Sequence, residues 1–397
     1  MPGLDEDLAA ALEDRAAADL YRRRRVVERL GGARVRVDGR ELLDFCANDY
    51  LGLATDPRLV AAAREALDGG VLGSGAAHLI TGHSPEHHAL EEELAEWTGR
   101  ERALLFSTGY MANIGLCQAL VGRGDTVLQD RLNHASLIDG AYASGARPAR
   151  FAHADAGALA GRLERARGRR LVLSDSVFSM DGDIAPLSDL ARVCAEGEAW
   201  LVADEAHALG TLGPEGAGAV AAAGLAQTQV PVLMGTLGKA LGTFGAFVAG
   251  SETLIETLIQ QARTYVYTTA PPPAMAAAAR RAVSIVRTES VHREKLAERI
   301  ACFREQADAA GLPRMESPTP IQPVPVGDSG RALAISRTLA EQGWLVQAIR
   351  PPTVPEGTAR LRVSLSAAHE DEQVRALVEA LARALEMHSD TSMDSQG

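Results

Sequence analysis

Trp200-Leu201-Val202-Ala203-Asp204-Glu205-Ala206-His207, answered further on by Val230-Pro231-Val232-Leu233-Met234-Gly235-Thr236-Leu237-Gly238-Lys239, decides the fold. Each stretch is a short apolar run that ends in polar, chemistry-bearing side chains. Apolar runs at 103–106, 126–129 and 171–174 repeat the pattern, and together with 200–203 and 230–234 they predict strands. The segments between them are long enough for crossover helices, so the runs predict an α/β fold with a mostly parallel central sheet covered on both faces. In open sheets of this kind, sites form at the carboxyl ends of the strands. There the sequence places the small polar turn Ser107-Thr108-Gly109-Tyr110-Met111-Ala112-Asn113, the run Asp204-Glu205-Ala206-His207, and Gly235-Thr236-Leu237-Gly238-Lys239.

Away from this centre, residues 5–29 predict an amphipathic N-terminal helix, with acids early and arginines late as the helix dipole favours. Arg22-Arg23-Arg24-Arg25 reads most simply as its solvated end. Asp38-Gly39 marks a hairpin turn. A helix over 274–304 bridges to a smaller α+β region with strands at 321–326 and 360–366 and helices at 330–342 and 370–387. The expected organisation is an N-terminal helix and hairpin segment (1–45), a large domain (46–290), a small C-terminal α+β domain (291–387) and a polar, flexible tail (388–397).

Composition narrows the class. The 397 residues carry 40 Lys+Arg and 52 Asp+Glu, a net charge of −12, which argues against a general binder of nucleic-acid phosphate. Only 4% of residues are aromatic, leaving few platforms on which bases could stack. The four cysteines are far apart and include no C-x-x-C pair, so neither a zinc ribbon nor a disulfide framework is indicated. The N-terminus lacks the apolar core of a secretory signal. The uncharged stretch 216–238 contains glycines, Gln227, Gln229 and Pro231, and reads as loop plus buried strand rather than a membrane span. A cytoplasmic enzyme is expected.

Several motif readings fail on the letters. Asp204-Glu205-Ala206-His207 spells a helicase box, but Gly238-Lys239 has Leu233 where a phosphate-binding loop needs its first glycine and Ala240 where it needs Ser or Thr. Gly216-x-Gly218-x-x-Ala221 imitates a dinucleotide fingerprint, yet it follows a turn rather than a strand and no acidic residue occurs between 222 and 251 to hold a ribose. Asp204 and His207 lack a third zinc ligand at recognisable spacing. No G-x-S-x-G elbow is present. What remains is a lysine able to form a Schiff base with a carbonyl compound, pyridoxal phosphate among them. Taken singly, Lys239, Asp204 and His207 are most simply a surface lysine, a helix-capping carboxylate and a core imidazole. Their order at successive strand ends favours a cofactor site: Asp204 for a pyridinium nitrogen, the turn at 107–110 and Thr236 for a phosphate, His134 to stack on a ring, and His207 for the ring oxygen.

The run Asp204-Glu205-Ala206-His207 with Gly213 and Thr236-Leu237-Gly238-Lys239-Ala240-Leu241-Gly242 resembles the α-oxoamine synthases, pyridoxal-phosphate enzymes with the aspartate-aminotransferase-like fold and a smaller C-terminal domain. Asn48-Asp49-Tyr50-Leu51-Gly52-Leu53, Gly73-Ser74-Gly75, Glu91-Glu92-Glu93-Leu94-Ala95, Asn133-His134-Ala135-Ser136 and Val177-Phe178-Ser179-Met180-Asp181-Gly182-Asp183 agree, so the resemblance spans roughly residues 5–387. It implies that Lys239 is the Schiff-base lysine and base, that Asp204 pairs with the pyridinium, and that His134 stacks on the ring. Ser179 and His207 would contact the ring oxygen, and Gly109, Tyr110 and Thr236 the phosphate. Thr268 and Thr269 would reach that phosphate from a second subunit of a homodimer. Asn48 and Arg362 would orient the amino-acid carboxylate, with Arg22 and Arg350 in the substrate channel.

Within the family, Ala348-Ile349-Arg350-Pro351-Pro352-Thr353-Val354-Pro355 with Thr358-Ala359-Arg360-Leu361-Arg362 is most similar to the biotin-pathway member. That implies L-alanine and a pimeloyl thioester, carried on coenzyme A or on a carrier protein, as substrates. The alternatives are a relative using glycine or serine with another acyl-CoA, and a catalytically silent regulatory protein on the same fold. Two departures from the family pattern, Ala76-Ala77-His78 after Gly75 and Asp175 in place of a glutamate, are expected near the acyl-donor path.

Overall fold

The structure, a computed structural model, describes residues 3–389. Its contacts divide the chain into two units, one made of 48–179 and 183–295, the other of the residues up to 47, 180–182 and those from 296 onward.

The larger unit is built on a seven-stranded sheet. Its order is Arg102–Phe106, Ala246–Gly250, Val232–Thr236, Trp200–Asp204, Arg170–Asp175, Thr126–Asp130 and Arg147–Phe151. The four ladders from Val232–Thr236 to Arg147–Phe151 are parallel, while Ala246–Gly250 pairs antiparallel with both of its neighbours. The central strands are buried on both faces and read as continuous apolar runs for that reason. Two strands escaped the sequence pattern. Ala246–Gly250 is a five-residue run just past a glycine-rich loop, and Arg147–Phe151 is a sheet-edge strand that carries Pro148, a residue tolerated only where no ladder donor is needed. Leu104, Phe106, Leu116, Leu137, Val202, Met234 and Val248 form the centre of the core beneath the helices on one face.

Local signals fix the elements that carry the site. Thr108 caps the helix Gly109–Leu120 by accepting the Met111 N–H at 3.2 Å, and Ser84 with Pro85 starts the helix Pro85–Thr98. The stretch 216–238 is loop, a one-turn helix Ala219–Ala222, and the buried strand Val232–Thr236. Gly218 is held at φ +102°, with Glu205 Oε2 only 2.4 Å from where a Cβ would stand, so no other residue fits.

The smaller unit joins the N-terminal segment to the C-terminal region. Strands Val27–Gly31, Arg34–Val37 and Arg40–Asp44 form an antiparallel meander turning at Asp38-Gly39, and Trp344–Leu345 adds to it in parallel. A second sheet of Ile321–Gly327, Ala359–Ser364 and Gln347–Ile349 is antiparallel, with Pro323 and Pro325 tolerated because their strand is an edge. The predicted N-terminal helix is shorter than its pattern. It spans Leu4–Ala17 and buries none of its residues, Asp19 takes a left-handed φ of +57°, and Arg22 to Arg25 lie outside any helix. With no apolar face packed, nothing holds the arginine-rich continuation helical. The single helix expected over 274–304 is two, Pro273–Thr288 and Val291–Ala309. Of the expected tail, residues 390–397 lie outside the described residues. No described helix is long and apolar enough to cross a membrane.

Candidate active site

Four parallel strands end at the site with a polar residue each: Asp130, Asp175, Asp204 and Thr236. Asp204 is 3% exposed. Its Oδ1 accepts the Ala206 N–H at 2.9 Å and its Oδ2 accepts from Asn113 Nδ2 at 2.8 Å. The same amide nitrogen donates to Ser136 Oγ at 2.9 Å. With one face of Ser136 Oγ so occupied, its hydroxyl donates to His134 Nδ1 at 2.8 Å, and the Ser136 N–H points to that nitrogen as well, at 3.3 Å. Nδ1 of His134 is therefore the acceptor and the ring carries its proton on Nε2. Partial burial of the ring, reinforced by the Lys239 ammonium and opposed by Asp204, holds His134 below the usual imidazole range, so it is the neutral form that offers its face.

A second line of hydrogen bonds runs through the lysine. Lys239 Nζ is 2.8 Å from His207 Nε2, and His207 Nδ1 is 2.7 Å from the Tyr50 hydroxyl, which donates to Asn48 Oδ1 at 3.2 Å. Because the Tyr50 proton goes to Asn48, Tyr50 accepts from His207 Nδ1–H, and Nε2 is left with a lone pair for the Lys239 N–H. Tyr50 is fully buried. Sequence reasoning missed Tyr50, Asn113 and Ser136 as members of the site. All three stood inside quoted motifs, but nothing in their spacing says which side chains turn inward.

Asp175 belongs to the same centre. Its carboxylate accepts the His134 N–H at 2.7 Å, and its own N–H goes to Asn133 Oδ1 at 3.1 Å. Complete burial, with Asp204 on the neighbouring strand adding to it, raises its carboxyl well above the usual range. Asp175 thus sets the backbone of His134. Glu205 is structural, its fully buried carboxylate accepting Ala219 and Val220 N–H, both at 2.7 Å, and burial pushes it up to about 7.

The other expected residues divide. Gly109 and Tyr110 open the helix Gly109–Leu120, and among the described residues no protein acceptor takes their N–H groups, an arrangement that suits an anion. The Tyr110 hydroxyl itself is spent on Asp139. Thr236 Oγ1 donates to Gly245 O at 3.1 Å and accepts Gly238 N–H at 3.3 Å. Ser179 lies half-buried after the strand Arg170–Asp175. Thr268 and Thr269 stand on the loop before the helix Pro273–Thr288, outside the hydrogen-bonded group around Lys239. Arg22, Arg350 and Arg362 belong to the smaller unit. There Arg362 is buried and donates to Ser364 Oγ at 2.9 Å. Burial lowers Arg350 from the ordinary guanidinium value, with Asp19 opposing the shift and Arg22 and Arg337 adding like charge.

A lysine amine, a buried carboxylate, a neutral stacking imidazole and unspent amides at a helix start are the donor set a pyridoxal phosphate needs. The chain matches the aminotransferase class I and II family over residues 40–381. It is 60% identical to 8-amino-7-oxononanoate synthase of Thioalkalivibrio sulfidiphilus over 381 residues, covering 96% of this chain and 97% of that one. The identity to the synthase of the same name from Pseudomonas putida KT2440 is 59% over 376 residues, 95% of this chain and 96% of the relative. The chain belongs to the 8-amino-7-oxononanoate synthases. Among solved structures, serine palmitoyltransferase of S. paucimobilis with bound PLP–myriocin superposes with a TM-score of 0.92 at 30% identity, covering 98% of this chain and 99% of the other. The 8-amino-7-oxononanoate synthase of Francisella tularensis gives 0.76 at 30% identity, covering 87% and 98%. The protein is thus a pyridoxal-phosphate-dependent acyltransferase of the α-oxoamine synthase group, and it acts in biotin biosynthesis.

Proposed function

We propose that the protein condenses L-alanine with a pimeloyl thioester, releasing the alanine carboxylate as carbon dioxide and the thiol, to give 8-amino-7-oxononanoate. The observation that carries this reading is the pair of hydrogen-bonded lines meeting at the strand ends, Asn48–Tyr50–His207–Lys239 and Asp204–Asn113–Ser136–His134. Bound pyridoxal phosphate supplies a carbonyl for the lysine and an electron-withdrawing ring. Lys239 would be the residue that holds the group through its amine, and its neutral amine would take the proton from alanine Cα. His207 Nε2 accepts from Nζ at 2.8 Å, which keeps a lone pair of the amine aimed and limits its wandering. Asp204, nearly dry and fixed by two donors, keeps the ring nitrogen protonated. His134 would lie against the ring as a neutral imidazole, its backbone N–H held by Asp175 and its Nδ1 by Ser136.

Gly109, Tyr110 and Thr236 hold the phosphate, with Thr268 and Thr269 supplied by a second copy of the chain in a homodimer, and Ser179 contacts the ring oxygen. Asn48 and Arg362 take the amino-acid carboxylate, and the cations Arg22 and Arg350 take the acyl donor's acidic groups. The large domain of 46–290, the small domain of 291–387 and the N-terminal segment of 1–45 are the functional divisions, and the enzyme works in the cytoplasm. Mass spectrometry of the product formed from alanine and pimeloyl-CoA, against parallel reactions with glycine and serine, tests the reading. Turnover with glycine or serine exceeding that with alanine overturns it.

A further inference from the structure

Four of the ten histidines fall at 78, 83, 87 and 88, and the chemistry described above uses none of them. His78, His83 and His88 line a cavity of about 270 Å³ whose wall also includes Glu91 and Tyr265. We propose that His83, His88 and Glu91 bind one divalent transition-metal ion of the zinc class.

The spacing comes first. His88 and Glu91 are three apart on the helix Pro85–Thr98 and so share a face, while His83 stands just before its cap, Ser84. One ligand atom from each of the three lies within 4.8 Å of the others, and His83 Nε2 is already 3.9 Å from Glu91 Oε2. Tetrahedral zinc with bonds of about 2.0–2.1 Å needs ligand atoms about 3.3 Å apart. Closing the set asks His83 Nε2 and Glu91 Oε2 to approach from 3.9 Å and His88, whose side chain is 66% exposed, to turn away from Glu92 Oε1, 3.5 Å from its Nε2.

The surroundings already orient the ligands. His83 Nδ1 is 3.0 Å from His78 Nδ1, and a proton on His83 Nδ1 leaves its Nε2 lone pair facing Glu91. This is the bond on the far ring nitrogen that metal-binding imidazoles make. His78 is in turn held in place by stacking on Tyr265, centroids 5.1 Å apart and planes 14° from parallel. Glu91 Oε1 accepts the Leu105 N–H at 2.9 Å, which fixes the carboxylate with Oε2 toward the histidines. The rival triad of His78, His83 and His87 is weaker. His87 gives its Nε2–H to Pro271 O at 2.9 Å and accepts the Ser84 N–H on Nδ1 at 3.1 Å, so it has no lone pair to offer. Two imidazoles and one carboxylate suit zinc, cobalt or nickel rather than magnesium or calcium, and three protein ligands leave a position for water.

Isothermal titration of the chelator-treated, untagged holoenzyme with zinc chloride tests the site. One ion per chain is expected, and cobalt(II) in its place should show the visible absorption of a four-coordinate centre. The double variant H83Q/H88Q should weaken this binding by about tenfold or more. Glu91→Gln should do the same while its remaining oxygen keeps the Leu105 bond, which guards the test against a double variant that fails to fold. His388→Gln is the histidine control and should bind as the parent does. No saturable binding to the parent, or parental affinity in folded Glu91→Gln, overturns the proposal.

Discussion

At the residue scale the chemistry rests on one nitrogen and on the groups that aim it. After borohydride reduction and dialysis, mass spectrometry should find no covalently attached cofactor on Lys239→Ala where the parent carries one per chain, and kcat should fall by about 10³-fold or more, since Schiff-base formation and proton transfer are lost together. Covalent cofactor persisting in that variant would remove Lys239 from its role. Asp204→Asn keeps the shape but not the charge, and should lower kcat by about 10²-fold while KM for alanine moves little. Tyr50→Phe is a subtler test. It leaves His207 Nδ1–H without its acceptor in a fully buried position, so the imidazole can turn its proton to the lysine side. Steady-state kinetics across pH should then show a lower kcat and a shifted acidic limb, and an unchanged profile would mean that Tyr50 only packs. Lysine, aspartate and histidine were legible because they stand directly after apolar runs and in a recognisable order. Tyr50, Asn113 and Ser136 were not, because a hydroxyl or amide inside a motif has no periodicity to betray its direction.

Elements carry these residues, and how far each could be read from sequence follows from what stabilises it. Buried central strands such as Arg170–Asp175 and Trp200–Asp204 write themselves as apolar runs. An edge strand like Arg147–Phe151 and a packed-on-nothing helix like Leu4–Ala17 do not, since tertiary pairing or its lack decides them. The strand Thr126–Asp130, which leads to His134, shows a further dependence on its surroundings. His153 bridges its last residue, Asp130, at 3.0 Å and Asp183 at 2.9 Å. Burial alone would lower this imidazole, but the two carboxylates overcome it and raise it to about 10. The raised value means that the folded protein holds a proton the unfolded chain releases near pH 6.5. The contribution is therefore complete below about pH 6.5 and is lost as pH climbs toward 10. Thermal melts should fall across that window, and should fall less steeply in His153→Gln. Parallel curves for the two proteins would show that His153 contributes no such dependence.

For the molecule as a whole, the question is whether one chain completes its own site. Thr268 and Thr269 sit on a loop apart from the hydrogen-bonded group around Lys239, although family resemblance gives them to the phosphate. A closed two-fold dimer resolves this if each copy lends its threonines to the other, because such an interface presents the same patch from both sides. Mixing chains makes the two cases distinguishable. Lys239→Ala and a double Thr268→Ala/Thr269→Ala variant should each be nearly inactive alone. If the threonines serve the neighbouring site, a mixed dimer gathers both defects in one site and leaves the other intact. Equimolar chains unfolded and re-associated at random should then recover about a quarter of parental activity, since half the dimers are mixed and one site in each works. If the threonines serve their own chain, every mixed site lacks either the lysine or the hydroxyls, and no activity returns. The assay reads the origin of the phosphate ligands directly, because recovery requires that two inactive chains combine into one complete site.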